Sequence, residues 1–358
     1  MIAHRSGLPA SDPLLIYGAT GFTGRLIVQE ALARGLIPIL AGRSEPELHA
    51  LASGERLEFR VASLASSADL AAALSGVTAV LNAAGPFRTA APLLVKACLD
   101  NGVHYLDIAG ELAWVELLSQ LDTEARHRRV MLLPGAGFDM VATDCAAALA
   151  ARRVPDATHL ALALAGLDAI SRGSAETVLE QYPQLAVVRR AGRLVPTQPG
   201  ELTRSFDFGS GPRATQAISW SDVASAYYTT GIPNITVYYE ATPLVRLGLG
   251  LGRDAGWMFA TPAWQTWRQA ALRLLPDGPS SRRRAAGRAT VVAEVSDGSH
   301  QRATIRLHTP EVYSFTATAS VSIAERVLTG GCEPGFQTAA NALGAEYVLS
   351  LPGVSQDR

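Results

Sequence analysis

The stretch Leu14-Leu15-Ile16-Tyr17-Gly18-Ala19-Thr20-Gly21-Phe22-Thr23-Gly24 decides the fold. Its first four residues form an apolar run that stops at a glycine, the pattern of a strand buried on both faces. Beyond it, Leu26, Ile27, Ala31 and Leu32 recur at helical spacing, which predicts a helix over 25–34 ended by Gly35. Glycine at such a junction allows a tight turn, a close approach of backbone to a pyrophosphate, and close packing of helix on strand. The helix N-terminus then presents free N–H groups and the positive end of its dipole to phosphates. The competing reading is a glycine turn with a purely structural purpose.

The residues that follow repeat the same unit. Apolar runs predict strands at 37–41, 57–61, 77–82, 104–108 and 130–133, separated by helices at 47–52, 67–74, 91–101 and 111–128. Alternation of this kind specifies an α/β fold, a Rossmann-type doubly wound parallel sheet. After about residue 150 the rhythm changes. Strands are expected at 159–165 and 235–241, with helices at 174–182 and 257–275 and an exposed loop at 280–284. Two alternating runs, 288–295 and 301–308, flank Asp297-Gly298 and read as a hairpin. Closing helices follow at 311–328 and 338–351. The expected organisation is a Rossmann domain over 12–145 plus about 334–358, with a second α+β domain over 146–333 for substrate and dimerisation. A homodimer would pair through the sheet of that second domain.

With 358 residues, 48% of them hydrophobic and 18% charged, the chain suits two folded domains. A formal net charge of −1 gives no footprint for nucleic acid or an anionic membrane. Cys98, Cys145 and Cys332 are far apart and fit no disulfide framework or metal spacing, so reduced core cysteines of a cytoplasmic protein are expected. The polar N-terminus does not read as a signal peptide. The apolar stretches near 160–166 and 244–252 are shorter than the roughly 20 residues of a membrane span.

The end of the second strand decides between the two nicotinamide dinucleotides. An Asp or Glu there would hydrogen-bond the ribose hydroxyls and repel a 2′-phosphate. The sequence has Ala41-Gly42-Arg43-Ser44 instead, an arginine to pair with that phosphate and a hydroxyl to donate to it, so NADP(H) is expected. After the fourth strand, Ala84-Gly85-Pro86-Phe87 forms a loop of mostly small residues that can approach the nicotinamide half. The expected cofactor residues are Gly18, Thr20, Gly21, Phe22, Thr23, Gly24, Arg43, Ser44, Ala84, Gly85, Pro86 and Phe87.

Hydride transfer also needs a nearby proton source. Asp107 and Glu111 follow the fifth strand and could orient the ribose or relay a proton, or equally cap a helix. Asp139 sits where a helix begins, as an N-cap or a pocket residue. Tyr227, together with Tyr228, Asn234 and Tyr313, is a candidate pocket lining or donor in the second domain, with aromatic core packing as the alternative. His104 beside Tyr105 is a further acid/base candidate. Lys96 has no tyrosine four residues before it, so the Tyr-x-x-x-Lys pair of short-chain dehydrogenases is missing. HExxH, P-loop, GxSxG and Cys/His metal patterns are missing too.

With these pieces in place, the chain resembles the bacterial saccharopine dehydrogenase-like oxidoreductases, a group that includes trans-acting enoyl reductases. The resemblance rests on the segments 17–24, 40–43 and 84–87. It continues through His104-Tyr105-Leu106-Asp107-Ile108-Ala109-Gly110-Glu111 and Pro134-Gly135-Ala136-Gly137-Phe138-Asp139 followed by Asp144. Ser171 to Ala175, Thr230-Gly231-Ile232-Pro233-Asn234 and the Gly344 region extend it more loosely. It implies an NADP(H) oxidoreductase acting on a C=N or C=C bond. Two departures touch the substrate pocket. Met140-Val141-Ala142-Thr143 stands where a serine–proline turn is usual, and Arg172 stands where a second glycine is. The function expected is reduction of an activated double bond, enoyl or imine, in a small or carrier-bound metabolite. A saccharopine-type amino-acid-forming dehydrogenase would instead want arginines such as Arg172, Arg189 and Arg190 converging on the pocket. A catalytically silent NADP-binding sensor or interaction module is the alternative of another class.

Overall fold

The computed structural model describes residues 13–167, 170–181, 186–198, 200–241, 261, 264, 272, 275–299 and 301–357. The helix expected over 257–275 lies almost wholly outside the described residues. Six short apolar strands, β1 (Leu14–Tyr17), β2 (Ile39–Gly42), β3 (Phe59–Val61), β4 (Ala79–Asn82), β5 (His104–Asp107) and β6 (Met131–Leu133), pair in parallel in the order β6-β5-β4-β1-β2-β3. This is the doubly wound order expected from the sequence, and the chain reverses direction across the sheet between β1 and β4, where ligands of such folds bind. β1 and β4 are buried along their whole length because helices cover both faces.

The connecting helices are α1 (Phe22–Ala33), α2 (Glu45–Glu55), α3 (Ser67–Ala73), α4 (Phe87–Ala90), α5 (Pro92–Asn101), α6 (Leu112–Ser119) and α7 (Asp122–Arg128). Two of them depart from the sequence reading. The first helix begins at Phe22, three residues early, because the glycine turn itself supplies the N-cap Gly21. The helix expected over 111–128 is two, broken at residues 120–121. The break lets Asp122 open α7, where its Oδ1 accepts the Phe336 amide at 2.8 Å.

The helix α8 (Phe138–Ala151) runs past residue 145, and ten of its fourteen residues are buried. Beyond it, β7 (His159–Ala165), α9 (Arg172–Gln181) and two hairpins, β8 (Ala186–Arg190) with β9 (Arg193–Thr197) and β10 (Thr203–Asp207) with β11 (Pro212–Ile218), lead to α10 (Asp222–Thr230) and β12 (Asn234–Glu240). The hairpins have no counterpart in the sequence reading, since their strands are short and largely exposed. The segment at 280–284, expected as a loop, belongs to the short helix α11 (Ser281–Ala286). There Ser280 caps arginine and alanine, both good helix formers.

The hairpin at Asp297-Gly298 is present as β13 (Arg288–Ser296) and β14 (Arg302–Pro310), in register from Arg288↔Pro310 to Ser296↔Arg302. These strands join β7 and β12 in a mixed sheet ordered β10-β11-β12-β7-β13-β14-β16, of the expected α+β kind. The chain then returns through the long helix α12 (Val312–Leu328), which lies across α1 and joins it through Arg34 and Glu325, 3.0 Å apart. The C-terminal return divides between the sheets. β15 (Gly335–Phe336) extends the first sheet beside β6, whereas β16 (Ser355–Gln356) pairs with β14 in the second. Between them, the helix expected over 338–351 is cut at Gly344 (φ +88°) into α13 (Ala339–Leu343) and a 3₁₀ turn, Ala345–Ser350. One apolar core runs through both sheets, from Leu14 and Ile16 to Val291 and Leu307, with α8 and α12 between them.

The close fit of α1 on β1 depends on Gly24. A Cβ there would sit 2.1 Å from the Gly18 carbonyl oxygen, a backbone atom with nowhere to move. Gly24→Ala should therefore lower unfolding free energy in urea by about 2 kcal/mol or more. Gly54→Ala, in open space on α2, should raise it by up to about 1 kcal/mol.

Candidate active site

The site begins where the chain leaves β1 and β4. Tyr17 and Asn82 are register partners at the ends of these strands, so the loops that follow them meet. Gly18, in the left-handed region at φ +77°, leaves no room for a side chain. A Cβ would approach the Ala84 amide nitrogen and Cβ to 2.9 Å. Asn82 shapes the facing loop: its Oδ1 accepts the Ala84 amide at 3.0 Å, and its Nδ2 donates to the Tyr105 hydroxyl at 3.1 Å. The first turn of α1 has no side-chain cap, which leaves its amides facing the cleft for an anion.

A cleft of about 780 Å³ opens here, lined by Gly18, Thr20, Gly21, Phe22, Thr23, Arg43, Ser44, Ala84 and Gly85. Nine of the twelve residues expected to hold the cofactor thus converge on one surface. Gly24 and Pro86 are absent from this lining, and Phe87 lines the neighbouring cavity. Arg43 is exposed and has no carboxylate partner among the described residues, and Ser44 caps α2 without using its hydroxyl. An unpaired guanidinium and a free hydroxyl, at the end of the second strand, fit a 2′-phosphate. The two glycines that a Cβ would block and the open first turn of α1 fit a pyrophosphate.

A second cavity, of about 230 Å³, meets the cleft at Thr23, Ala83, Gly85, Ser171 and Gly173. Its walls are largely apolar and aromatic, with Phe87, Ile108, Phe138, Leu167, Ile170, Trp220 and Val312. No lysine or arginine lines it among the described residues. Tyr313, near the start of α12, stands edge-on to Phe22 with ring centroids 5.3 Å apart. Its hydroxyl accepts the Ser171 amide and shares a hydrogen bond with Ser174 at 2.9 Å, so α12 ties the loop before α9 to the glycine turn.

Asp139 is the distinctive polar group of this cavity. It is half-buried on the first turn of α8 and its carboxyl crowds the Gly110 backbone, where a Cβ would lie 2.6 Å from Oδ2. Its side chain forms no hydrogen bond or ion pair among the described residues. Burial pushes the carboxyl up to about 7. Behind it lie two more buried carboxyls, both raised by burial. Asp144 is eased by bonds from Thr229 and Ala340, and Asp222 is raised further by repulsion from Asp144 and Asp139.

The other sequence candidates divide. Glu111 lines the cavity, but its two oxygens accept the amides of Phe87 and Arg88 at 2.7 and 3.0 Å, capping α4 from across the site. Asp107 is fully buried and lines neither cavity. Its Oδ1 accepts the Ala109 and Gly135 amides, its Oδ2 accepts the Trp114 indole N–H at 2.6 Å, and burial raises it to about 6. It ties the loops after β5 and β6 to α6. Tyr227, a catalytic candidate in the sequence, also lies outside both cavities, its ring stacked 4.2 Å beneath the Arg189 guanidinium. Tyr228 and Asn234 are elsewhere as well, bonded to Glu116 and to the Thr158 carbonyl. His104 Nδ1 accepts the Met131 amide at 3.0 Å.

None of the three arginines reaches the small cavity. Arg172 pairs with Asp277 and the Leu275 carbonyl at the cleft, and Arg189 is buried against Glu116. Sequence reading missed Trp220 and Thr316, both of which line the cavity. Trp220 is a lone aromatic between β11 and α10, and no local pattern marks it.

Comparison with known proteins agrees with this picture. Residues 14–132 match the family described as "Saccharopine dehydrogenase NADP binding domain". A "Lipid droplet localized protein" of Caenorhabditis elegans is 32% identical over 145 residues, covering 37% of this chain and 34% of that one. The human "Saccharopine dehydrogenase-like oxidoreductase" is 28% identical over 151 residues, 37% and 35% of the two chains. A "Trans-acting enoyl reductase" of Mycobacterium leprae is 31% identical over 141 residues, 37% and 33%. These matches span about a third of each relative's length. The fold as a whole is similar to apo saccharopine dehydrogenase (L-Glu forming) of Saccharomyces cerevisiae. The TM-score is 0.61 over 97% of this chain and all of that one, at 11% identity. Residues 14–132 are thus similar to the saccharopine dehydrogenase NADP-binding domain, in line with the sequence resemblance.

Arg43→Ala should weaken NADPH binding by tenfold or more, about 1.4 kcal/mol or above, and leave NADH binding within twofold. Fluorescence titration of both nucleotides on both proteins checks this. Gly21→Asp, which places a carboxylate at the phosphate end of α1, should abolish binding of either.

Proposed function

We propose that the protein is an NADPH-dependent reductase of an activated double bond, enoyl or imine, in a small or carrier-bound metabolite. One observation carries this reading: an apolar cavity, joined to the cofactor cleft at Thr23, Ala83 and Gly85, holds the Asp139 carboxyl, which is sheltered from solvent and pairs with no group among the described residues. When bound, NADPH supplies a hydride, and the second hydrogen must arrive as a proton. Asp139, raised to about 7, is half protonated near neutrality and is suited to donate it. Glu111 acts by holding the Phe87 loop in place, and Tyr313 by fixing the Ser171 loop over the opening. In this division the first sheet and its helices hold the cofactor, and α8, α9, α12 and the loops after β7 and β11 build much of the substrate wall.

The saccharopine-type alternative is disfavoured by the cavity's chemistry. A dicarboxylate amino acid would need cations, and the described lining offers none. The Mycobacterium leprae relative, by its name an enoyl reductase, supports the C=C branch, although only about a third of its length is matched.

The test is NADPH oxidation, followed by absorbance, across a panel of enoyl thioesters and imines. Turnover of any of them, with kcat lowered 100-fold or more in Asp139→Asn and NADPH affinity unchanged, is the expected result. Since the acid form of Asp139 donates the proton, kcat of the wild type should fall as pH rises through about 7. NADPH binding without oxidation by any acceptor would instead favour the silent binding module.

A further inference from the structure

Resting on that reading, we infer that the cavity takes an apolar imine without a carboxylate, held as an iminium once Asp139 has passed its proton to the nitrogen, with the Asp139 carboxylate as counter-charge. Hydride addition then leaves a neutral amine, which becomes an ammonium ion by taking a proton from solvent. The cavity's composition carries this choice between the two kinds of double bond. An enoyl thioester develops negative charge at its carbonyl oxygen during reduction. Such a substrate calls for donors or cations near that oxygen. The side-chain donors of the described lining are uncharged, the Trp220 indole N–H and the hydroxyls of Thr23, Ser171, Ser174, Tyr313 and Thr316. It contains neither lysine nor arginine, and Arg172, on the loop at the junction, is turned to Asp277. What the cavity offers is the opposite sign: Asp139 within, Glu176 on an exposed part of the lining, and Glu111 in the wall.

Two further features fit a cation. The rings of Phe87, Phe138 and Trp220 line the same small space, and aromatic faces attract organic cations once water is excluded. The Asp139 carboxyl has no partner among the described residues, and a bound cation would supply the ion pair. A buried acid that has lost water and gained nothing is costly when ionised, and a cationic ligand removes that cost.

The groups facing Asp139 are Tyr313 from α12, Asp222 from α10, Asp144 from its own helix, and Glu111 and Glu176 across the cavity. Each is neutral or negative, so none competes with a ligand cation. An imine and Asp139 then share one proton between them. Whichever side holds it, the pair has the same net charge, and the nitrogen is protonated when the carboxylate forms.

The inference is tested by calorimetric titration of N-methylbenzylammonium into the full-length protein saturated with NADP+, beside two probes of similar size, phenylpropionate and benzyl methyl ether. The ammonium ion should bind at least tenfold more tightly than either. Its affinity should rise between about pH 6 and 8 as Asp139 ionises while the ligand stays charged. In Asp139→Asn that affinity should drop about tenfold or more, with ether binding and thermal midpoint unchanged. Asp139→Glu, which keeps the charge, should retain most of it. Equal or tighter binding of phenylpropionate, or ammonium affinity unaltered in Asp139→Asn, overturns the inference. If enoyl thioesters are reduced while iminium ions are neither bound nor reduced, the inference fails and the reductase reading stands. If NADPH is oxidised by no acceptor yet the ammonium ion binds through Asp139, the inference stands and the reductase reading fails.

Discussion

Two backbone loops meet where the sheet reverses, and the rest of the site depends on that contact. Because Gly18 has no side chain, the turn after β1 lies against Ala84 in the turn after β4, closer than any Cβ would permit. Gly24 brings α1 down onto the same turn. The first helix therefore points its uncapped N-terminus along the cleft, and the Ala84 loop forms the cleft's far wall. Asn82 and Glu111 secure that loop from below and from the side, each through main-chain amides. A cofactor site built in this way is largely pre-formed, since its recognition groups are backbone held by strands that are buried on both faces.

Onto this frame the second half of the chain adds a cover rather than a separate body. α8 leaves the first sheet, carries Asp139 in its first turn, and continues into the second sheet's core. α12 comes back across α1 and presents Tyr313 beside Phe22. The cavity where chemistry is proposed thus lies at a seam, with Thr23 and Phe87 from one side and Ser171, Trp220 and Tyr313 from the other. Seams of this kind are where buried groups can lose water without gaining a partner, and Asp139 is such a group. Asp107, more deeply buried, accepts three hydrogen bonds and ties its surroundings together. Burial raises both acids, and the presence or absence of partners separates their roles.

Much of the cofactor half was legible in the sequence because its rules are local. A strand, a glycine turn and a helix occupy consecutive residues, and the position proposed to meet the 2′-phosphate follows the next strand at a fixed place. Arg43 could be named for that reason. The hairpin at Asp297-Gly298 was legible on the same grounds. The substrate half was not, because its residues come from elements distant in sequence. Asp139, Trp220 and Tyr313 meet only after α8, the β11–α10 loop and α12 have packed. Tyr227 resembled Tyr313 by composition, and only packing distinguished them. The break between α6 and α7 was missed because the apolar spacing continues across it, while the tie from Asp122 to Phe336 spans 214 positions.

A crystal structure of the NADP+ complex is the most direct measurement of the central claim. The 2′-phosphate is predicted to sit on Arg43 and Ser44 and the pyrophosphate on the first turn of α1. The nicotinamide should lie in the opening shared by the two cavities, with Asp139 facing the space beyond it. A dinucleotide running the other way, or a nicotinamide turned from the cavity with Asp139 bonded to protein, would contradict it.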